Sequence, residues 1–239
     1  MSHAANLKVI KSYLDDSYTR EETRGVPKRA DLTFGNTVKR LPHAVVVYID
    51  MRGSRKIMQG ATSFVSIKVH RAFLQAIVYC VENRDGHFRS FNGDGALAFF
   101  VGEDAASRAV RAAMDLKAYV LKINELLAKR ISTPLDFGVG IGQGTVDVAK
   151  SGKRGDDSTK QDLVWVGTPV YVAVELSDYA KRPKNIWISP KVRKAIGKEK
   201  HRGVVYSDGE SIWTEVEKNL ASVGSYKVRY TSYFSTISF

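Results

Sequence analysis

Ala44-Val-Val-Val-Tyr-Ile-Asp-Met-Arg-Gly-Ser54 is the stretch on which the fold turns. Strand formers run unbroken into Asp50, a Met-Arg-Gly-Ser turn follows, and a helical pattern begins. A second segment, Phe91-Asn-Gly-Asp-Gly95, has Phe88 before it and Ala96-Leu-Ala-Phe-Phe100 after it. Alone, Asp50 reads as a helix cap and Asp94 as turn chemistry. Together they put two carboxylates at the tips of two apolar strands, where burial is costly unless a cation neutralises them. Oxygen ligands with no Cys or His nearby favour Mg²⁺ or Mn²⁺ over zinc. Gly53 and Ser54, at a helix start, offer backbone N–H groups to a phosphate. Metal plus phosphate cradle points to phosphoryl or nucleotidyl chemistry.

The bulk numbers bound this reading. The chain has 239 residues and 44% hydrophobic residues, enough for one large domain, or one domain with an extension. It contains no run of eighteen apolar residues, and Met-Ser-His-Ala-Ala lacks a signal-peptide core, so a soluble cytoplasmic protein is expected. A single cysteine, Cys80, excludes an intrachain disulfide. The formal charge of +12 fits nucleic acid, an anionic membrane or a polyanionic small substrate. Basic residues are densest from Lys181 to Arg202, with Trp187 but no interleaved run of aromatics, so that segment reads as a solvated face. No stable nucleic-acid or membrane partner is expected.

In chain order, residues 1–43 read as an extension, with a helix from Ala5 to Tyr18 (Leu7, Ile10 and Leu14 on one face) and then a polar run; 44–239 read as the catalytic domain. Strand Ala44–Asp50 leads to a short helix near Arg55–Gly60. A longer helix follows over Ser63–Glu82, its stripe marked by Phe64, Ile67, Phe73, Leu74, Ile77 and Val78. Strands His87–Phe91 and Ala96–Val101 form a hairpin through Asn-Gly-Asp-Gly. Asp104 is expected to cap a helix reaching Lys129. The segment Leu135–Val148 carries glycine at 138, 140, 142 and 144, so something must pack close to one side of it. After the polar loop Lys150–Lys160 come strand Leu163–Val166, a helix from Gly167-Thr-Pro to Ala180, strand Asn185–Ser189 and a β-rich end. The sum is an α+β arrangement, a mixed sheet with its helices on one side.

Four segments resemble motifs of the class III nucleotide cyclases, in that family's order, across Ala44 to Ala180. Tyr48-Ile-Asp-Met-Arg-Gly-Ser54 resembles their Asp-Ile-x-Gly-Phe-Thr signature, and Phe91 to Phe100 their Gly-Asp-Gly hairpin. Gly140-Ile-Gly-Gln-Gly-Thr-Val resembles their Gly-Ile-His-Thr-Gly-x-Val strand. Trp165-Val-Gly-Thr-Pro-Val-Tyr-Val-Ala-Val-Glu-Leu176 resembles the following helix. The resemblance implies a ferredoxin-like core, a head-to-tail homodimer with active sites between subunits, and two Mn²⁺ or Mg²⁺ ions per site. It places those ions on Asp50, Asp94 and the Met51 carbonyl. Tyr48, Arg52, Gly53, Ser54, Ser90, Gly93 and Val164 then fall on the nucleotide.

The chain also departs from the family. Where the family helix carries an Asn and an Arg, this chain has Tyr171 and Glu175; Arg52, Arg55, Arg89, Lys227 and Arg229 are candidates to replace the cation. Base selection by Lys and Asp (adenylate) or Glu and Cys (guanylate) gives way to Ser90 and Val164, neither purine code. The whole pattern most resembles the stand-alone bacterial pyrimidine cyclases of the Pycsar antiphage defence system. A uridylate cyclase is therefore expected, acting on a nucleoside triphosphate to give cyclic UMP for a separate effector. The alternatives are a cytidylate or adenylate cyclase and a degenerate, nucleotide-sensing cyclase fold.

Overall fold

A computed structural model describes residues 2–155, 157–198, 204–207 and 210–239. Helix α1 (His3–Asp15) starts where the Ser2 side chain accepts from Ala5 N–H at 3.2 Å, and none of its residues is buried. Strand β1 (Thr19–Glu22) pairs in parallel with β2 (Thr37–Arg52). Then come α2 (Ser54–Gly60), α3 (Ser63–Glu82), β3 (His87–Asn92), β4 (Gly95–Phe100), α4 (Ala105–Leu127), β5 (Asp136–Gly152), β6 (Gln161–Val166) and α5 (Thr168–Tyr179). The chain closes with β7 (Ile186–Ile188), α6 (Pro190–Ile196), the short pair β8 (Tyr206–Ser207) and β9 (Glu210–Ser211), and the hairpin β10 (Thr214–Leu220)–β11 (Gly224–Thr231).

The nine-stranded mixed sheet has the order β10-β11-β7-β5-β2-β4-β3, with β1 on β2 and β6 on β5. Within it, β2-α3-β3-β4-α4-β5 is the βαββαβ run of a ferredoxin-like core. Alternation along β2 divides the molecule. Val45, Val47, Ile49 and Met51 face the cluster built by α3, α4 and α6; Ala44, Val46 and Tyr48 face the opposite cluster, with Trp165, Val170 and Ala173.

The helices therefore lie on both sides of the sheet, not on one. The reason is the glycine row of β5. A methyl group on Gly140 would sit 1.9 Å from the Ala173 carbonyl oxygen, and one on Gly142 would sit 2.4 Å from that of Pro169. Removing the side chains lets α5 lie backbone to backbone on the face opposite α3 and α4.

Other sequence boundaries shift for local reasons. β2 begins at Thr37, because β1 supplies it with a partner and a register shift between Leu41 and Ala44 carries the chain past Pro42. Asp104 adopts φ +49° and makes no side-chain cap hydrogen bond. On α3, Phe64 and Ile67 are exposed and the buried face is Val69, Phe73, Ala76, Ile77 and Cys80. This helix is long and apolar enough to cross a membrane by length and composition alone, yet that face packs into the core. The basic run after Lys181 holds α6, capped by the Ser189 side chain accepting from Val192 N–H. Residues 199–202 of that run lie outside the described residues. Burial also pushes the Cys80 thiol up to about 12, which keeps it protonated and inert.

Candidate active site

Asp50 is the last but two residue of β2, directly opposite Gly95 on β4 and Gly138 on β5. The β3–β4 turn is Gly93-Asp94, with Gly93 at φ +65° and Asp94 at an ordinary negative φ, the II′ pattern that a two-residue hairpin favours. This turn brings Asp94 to the end of β2. A side-chain carbon on Gly95 would lie 3.2 Å from Asp50 Oδ1 and 3.0 Å from Tyr48 Oη, so the hairpin tip rests on the carboxylate. Both aspartates are half-buried.

The electrostatics follow from that crowding. Burial holds the Asp50 carboxyl above its ordinary value; Arg52 pulls it down, while Asp94 and Asp178 push it up. Burial and the two negative neighbours outweigh the guanidinium. A divalent cation at this point would relieve both costs. The donor set fits Mg²⁺ or Mn²⁺: two carboxylates, with the Met51 carbonyl at the adjacent residue and no nitrogen or sulfur ligand in the set. Among the described residues no group of three or more His, Cys, Asp or Glu could hold a metal, so phosphate and water oxygens would complete the coordination.

Arg52, expected on the nucleotide or in place of the family's cation, braces Asp50, and that role is what the sequence reading missed. Asp50 and Arg52 are two apart on a strand and so share a face, a signal that was available. Arg52 Nη1 donates to Asp50 Oδ2 at 2.9 Å, and Nε donates to the Ala180 carbonyl at 3.2 Å. Nη2 donates to the Ser177 carbonyl and stands 3.6 Å from Asp178. One guanidinium thus ties the carboxylate to the carbonyl end of α5. Lying against a helix C-terminus, its charge is also favourably placed.

The remaining candidates separate into two groups. Asn92 donates to Tyr48 Oη at 3.3 Å, and Ser90 pairs with Leu97, the residue that also pairs with Tyr48. Gly53 takes φ +70° and turns the chain into α2, with Ser54 as its first residue. Tyr48, Asp50, Met51, Arg52, Gly53, Ser54, Ser90, Gly93 and Asp94 therefore form one neighbourhood.

Val164 does not join it. It pairs with Ala149, eleven residues along β5 from Gly138, roughly 36 Å of strand at about 3.3 Å per residue. There it lines a groove of about 290 Å³ with Tyr18, Arg20, Val38 and Asp147. Tyr171 is exposed on α5, and Glu175 accepts from Ser222 N–H at 2.9 Å. Of the candidate cations, Arg89 is committed to the Val26, Pro27 and Phe88 carbonyls, and Arg229 pairs with Glu215, 4.0 Å from Lys227. Arg55 is exposed on α2.

Comparison with known proteins agrees with this geometry. The chain is 31% identical to a uridylate cyclase of Gulbenkiania mobilis over 186 residues, covering 73% of this chain and 70% of that protein. It is 29% identical to a uridylate cyclase of Burkholderia cepacia, over 74% and 79% of the two chains. A third, from Xanthomonas perforans, is 28% identical over 83% of each. No protein-family model matches. Among solved structures, the guanylyl cyclase Cya2 superposes with a TM-score of 0.66 at 21% identity, over 80% of this chain and 91% of that one. The adenylyl cyclase CyaB of P. aeruginosa gives 0.62 at 18%, over 81% and 95%. At these identities the structural likeness speaks for the fold.

Proposed function

The chain belongs to the uridylate cyclases, nucleotide cyclases of the class III fold, and on that premise we propose that it converts UTP to 3′,5′-cyclic UMP and pyrophosphate. The observation that carries the proposal is the meeting of Asp50 and Asp94 at one strand end, beside the Gly53–Ser54 turn. In the reaction the ribose 3′-oxygen bonds to the α-phosphorus, the bond from that phosphorus to the bridging oxygen breaks so that pyrophosphate leaves, and the hydroxyl proton passes to water. Two divalent ions, Mn²⁺ or Mg²⁺, would supply Lewis-acid activation of the hydroxyl and neutralise triphosphate charge when bound.

The chain's own residues do the positioning. Asp50, Asp94 and the Met51 carbonyl would hold the ions. Gly53 and Ser54 donate backbone N–H groups to phosphate oxygens at the start of α2. Gly93 allows the turn that presents Asp94, and Tyr48 and Ser90 narrow the pocket beside the carboxylates. Val164 sits too far along β5 to serve the same chain's aspartates, so a head-to-tail homodimer supplies it from a second copy. Of residues 1–43 only α1, none of whose residues is buried, acts as an arm; β1 and the start of β2 belong to the sheet of the catalytic domain, 44–239, and Val26, Leu32 and Leu41 to its core. The product, a second messenger for antiviral defence, is read by a separate effector in the cytoplasm.

Two outcomes test this reading. Cyclase activity is expected to vanish in EDTA and return with Mn²⁺ or Mg²⁺; activity that persists in chelator contradicts the metal assignment. The hydrogen bonds of Arg52 to Asp50 and to the end of α5 support a bracing role more than a phosphate-binding one. Arg52→Ala is expected to lower kcat by about 10²-fold with a smaller change in KM, because a carboxylate displaced by an ångström misplaces the reacting groups. Arg52→Lys is expected to recover little, since a point charge cannot span a carboxylate and two carbonyls. A raised KM with unchanged kcat would instead make Arg52 a substrate ligand.

A further inference from the structure

We propose that the outer face of α2 and the first half of α3 docks this protein on an anionic lipid bilayer. α3 turns Val69, Phe73, Ala76 and Ile77 into the core, so its other side meets solvent. On that side Phe64 is 76% exposed and Ile67 54%, and the exposed Lys68 and Arg71 continue the same stripe at the following helical steps. α2 contributes Met58, 60% exposed, together with the exposed Arg55 and Lys56. From Ser54 to Val81 the sequence contains no aspartate or glutamate. Among the described residues, none of these four basic side chains forms an ion pair.

Charge complementarity selects the occupant. Apolar anchors ringed by Lys and Arg are the make-up of a helix that lies in the bilayer interface. Anionic headgroups attract such a basic cluster, and the chain's formal charge of +12 adds to the pull. A second copy meeting this face with its own would set like charges against each other. A nucleic acid would satisfy the cations, but Phe64 is the single ring among the three anchors, and Ile67 and Met58 offer successive bases nothing to stack on. The face is carried by a helix already packed in the core, so docking requires no refolding and stays shallow. The sequence alone pointed to no membrane partner, because the stripe counted as core there.

Co-sedimentation with phosphatidylcholine vesicles, with and without phosphatidylserine, tests the proposal. The full chain is expected to bind the anionic vesicles, to ignore the neutral ones, and to be released by salt. Phe64→Ser/Ile67→Ser and Lys68→Glu/Arg71→Glu are each expected to weaken binding by roughly tenfold or more, with unchanged Tm. Equal binding of both vesicle types, no binding to either, or variants that bind like the parent would overturn the proposal. So would loss of self-association in the Phe64→Ser/Ile67→Ser variant, which would make the face a contact between copies. Duplex RNA bound in preference to vesicles would also overturn it.

Discussion

Asp50→Ala and Asp94→Ala are each expected to reduce cyclic-nucleotide formation by at least about 10³-fold while the protein stays folded. The two carboxylates stand at one strand end, and each substitution removes a charge from the seat proposed to hold cations against a triphosphate. Stabilisation of developing charge in a preorganised site is worth about 10²–10³ per donor, and losing a metal costs more. Asp50→Asn separates chemistry from shape, because it keeps an oxygen for Arg52 to bond. It is expected to be as inactive as the alanine variant.

Stability should respond differently. Burial raises the Asp50 carboxyl above the ordinary 3.8, so folding favours its protonated form. That contribution is fully present below pH 3.8 and is lost as pH rises through the higher folded value. Metal-free wild type should therefore lose stability relative to Asp50→Asn over that rise, as denaturant unfolding at several pH values would read. Near-full activity in any of the three variants would refute the metal assignment.

Gly140→Ala is expected to be the most damaging added methyl group among the described glycines. Its added carbon would lie 1.9 Å from the Ala173 carbonyl oxygen and 2.6 Å from Ser177 N, both backbone atoms of α5. Neither can swing aside as a flexible side chain could. Overpacking of this kind costs about 1–3 kcal/mol and sometimes more, and here a whole helix must lift. Because the Ser177 carbonyl also anchors Arg52, the lift would reach Asp50. Loss of stability and of kcat together is the expected pattern, read by urea unfolding and by turnover. Gly25→Ala is the control, with nothing within 4 Å of the added carbon.

Much of the fold was legible because local chemistry and global packing agree along most of the core. The run Ala44–Val47 is buried on both faces, and the Asn-Gly-Asp-Gly hairpin forms where turn residues demand it. The alternate glycines announced a close neighbour, and α5 is that neighbour. What they could not give was the side: whether a helix lands above or below a sheet depends on crossovers that no local pattern records. β1 was hidden because all four of its residues are exposed, so no apolar alternation marks it. α6 was masked by its lysines, although Ser189-Pro190 is a helix-start signal. At the site, Asp50 and Asp94 were readable from residue type and strand ends. The bracing of Asp50 by Arg52 through the end of α5 needed the tertiary contact.

Conversion of a pyrimidine triphosphate to its cyclic monophosphate is read by one assay. Purified protein is incubated separately with UTP, CTP, ATP and GTP in Mn²⁺, and the products are identified by mass. The expected products are 3′,5′-cyclic UMP and pyrophosphate from UTP, well above any product from the other three. Cyclic product from ATP in preference to UTP, or none from any of the four, would contradict it.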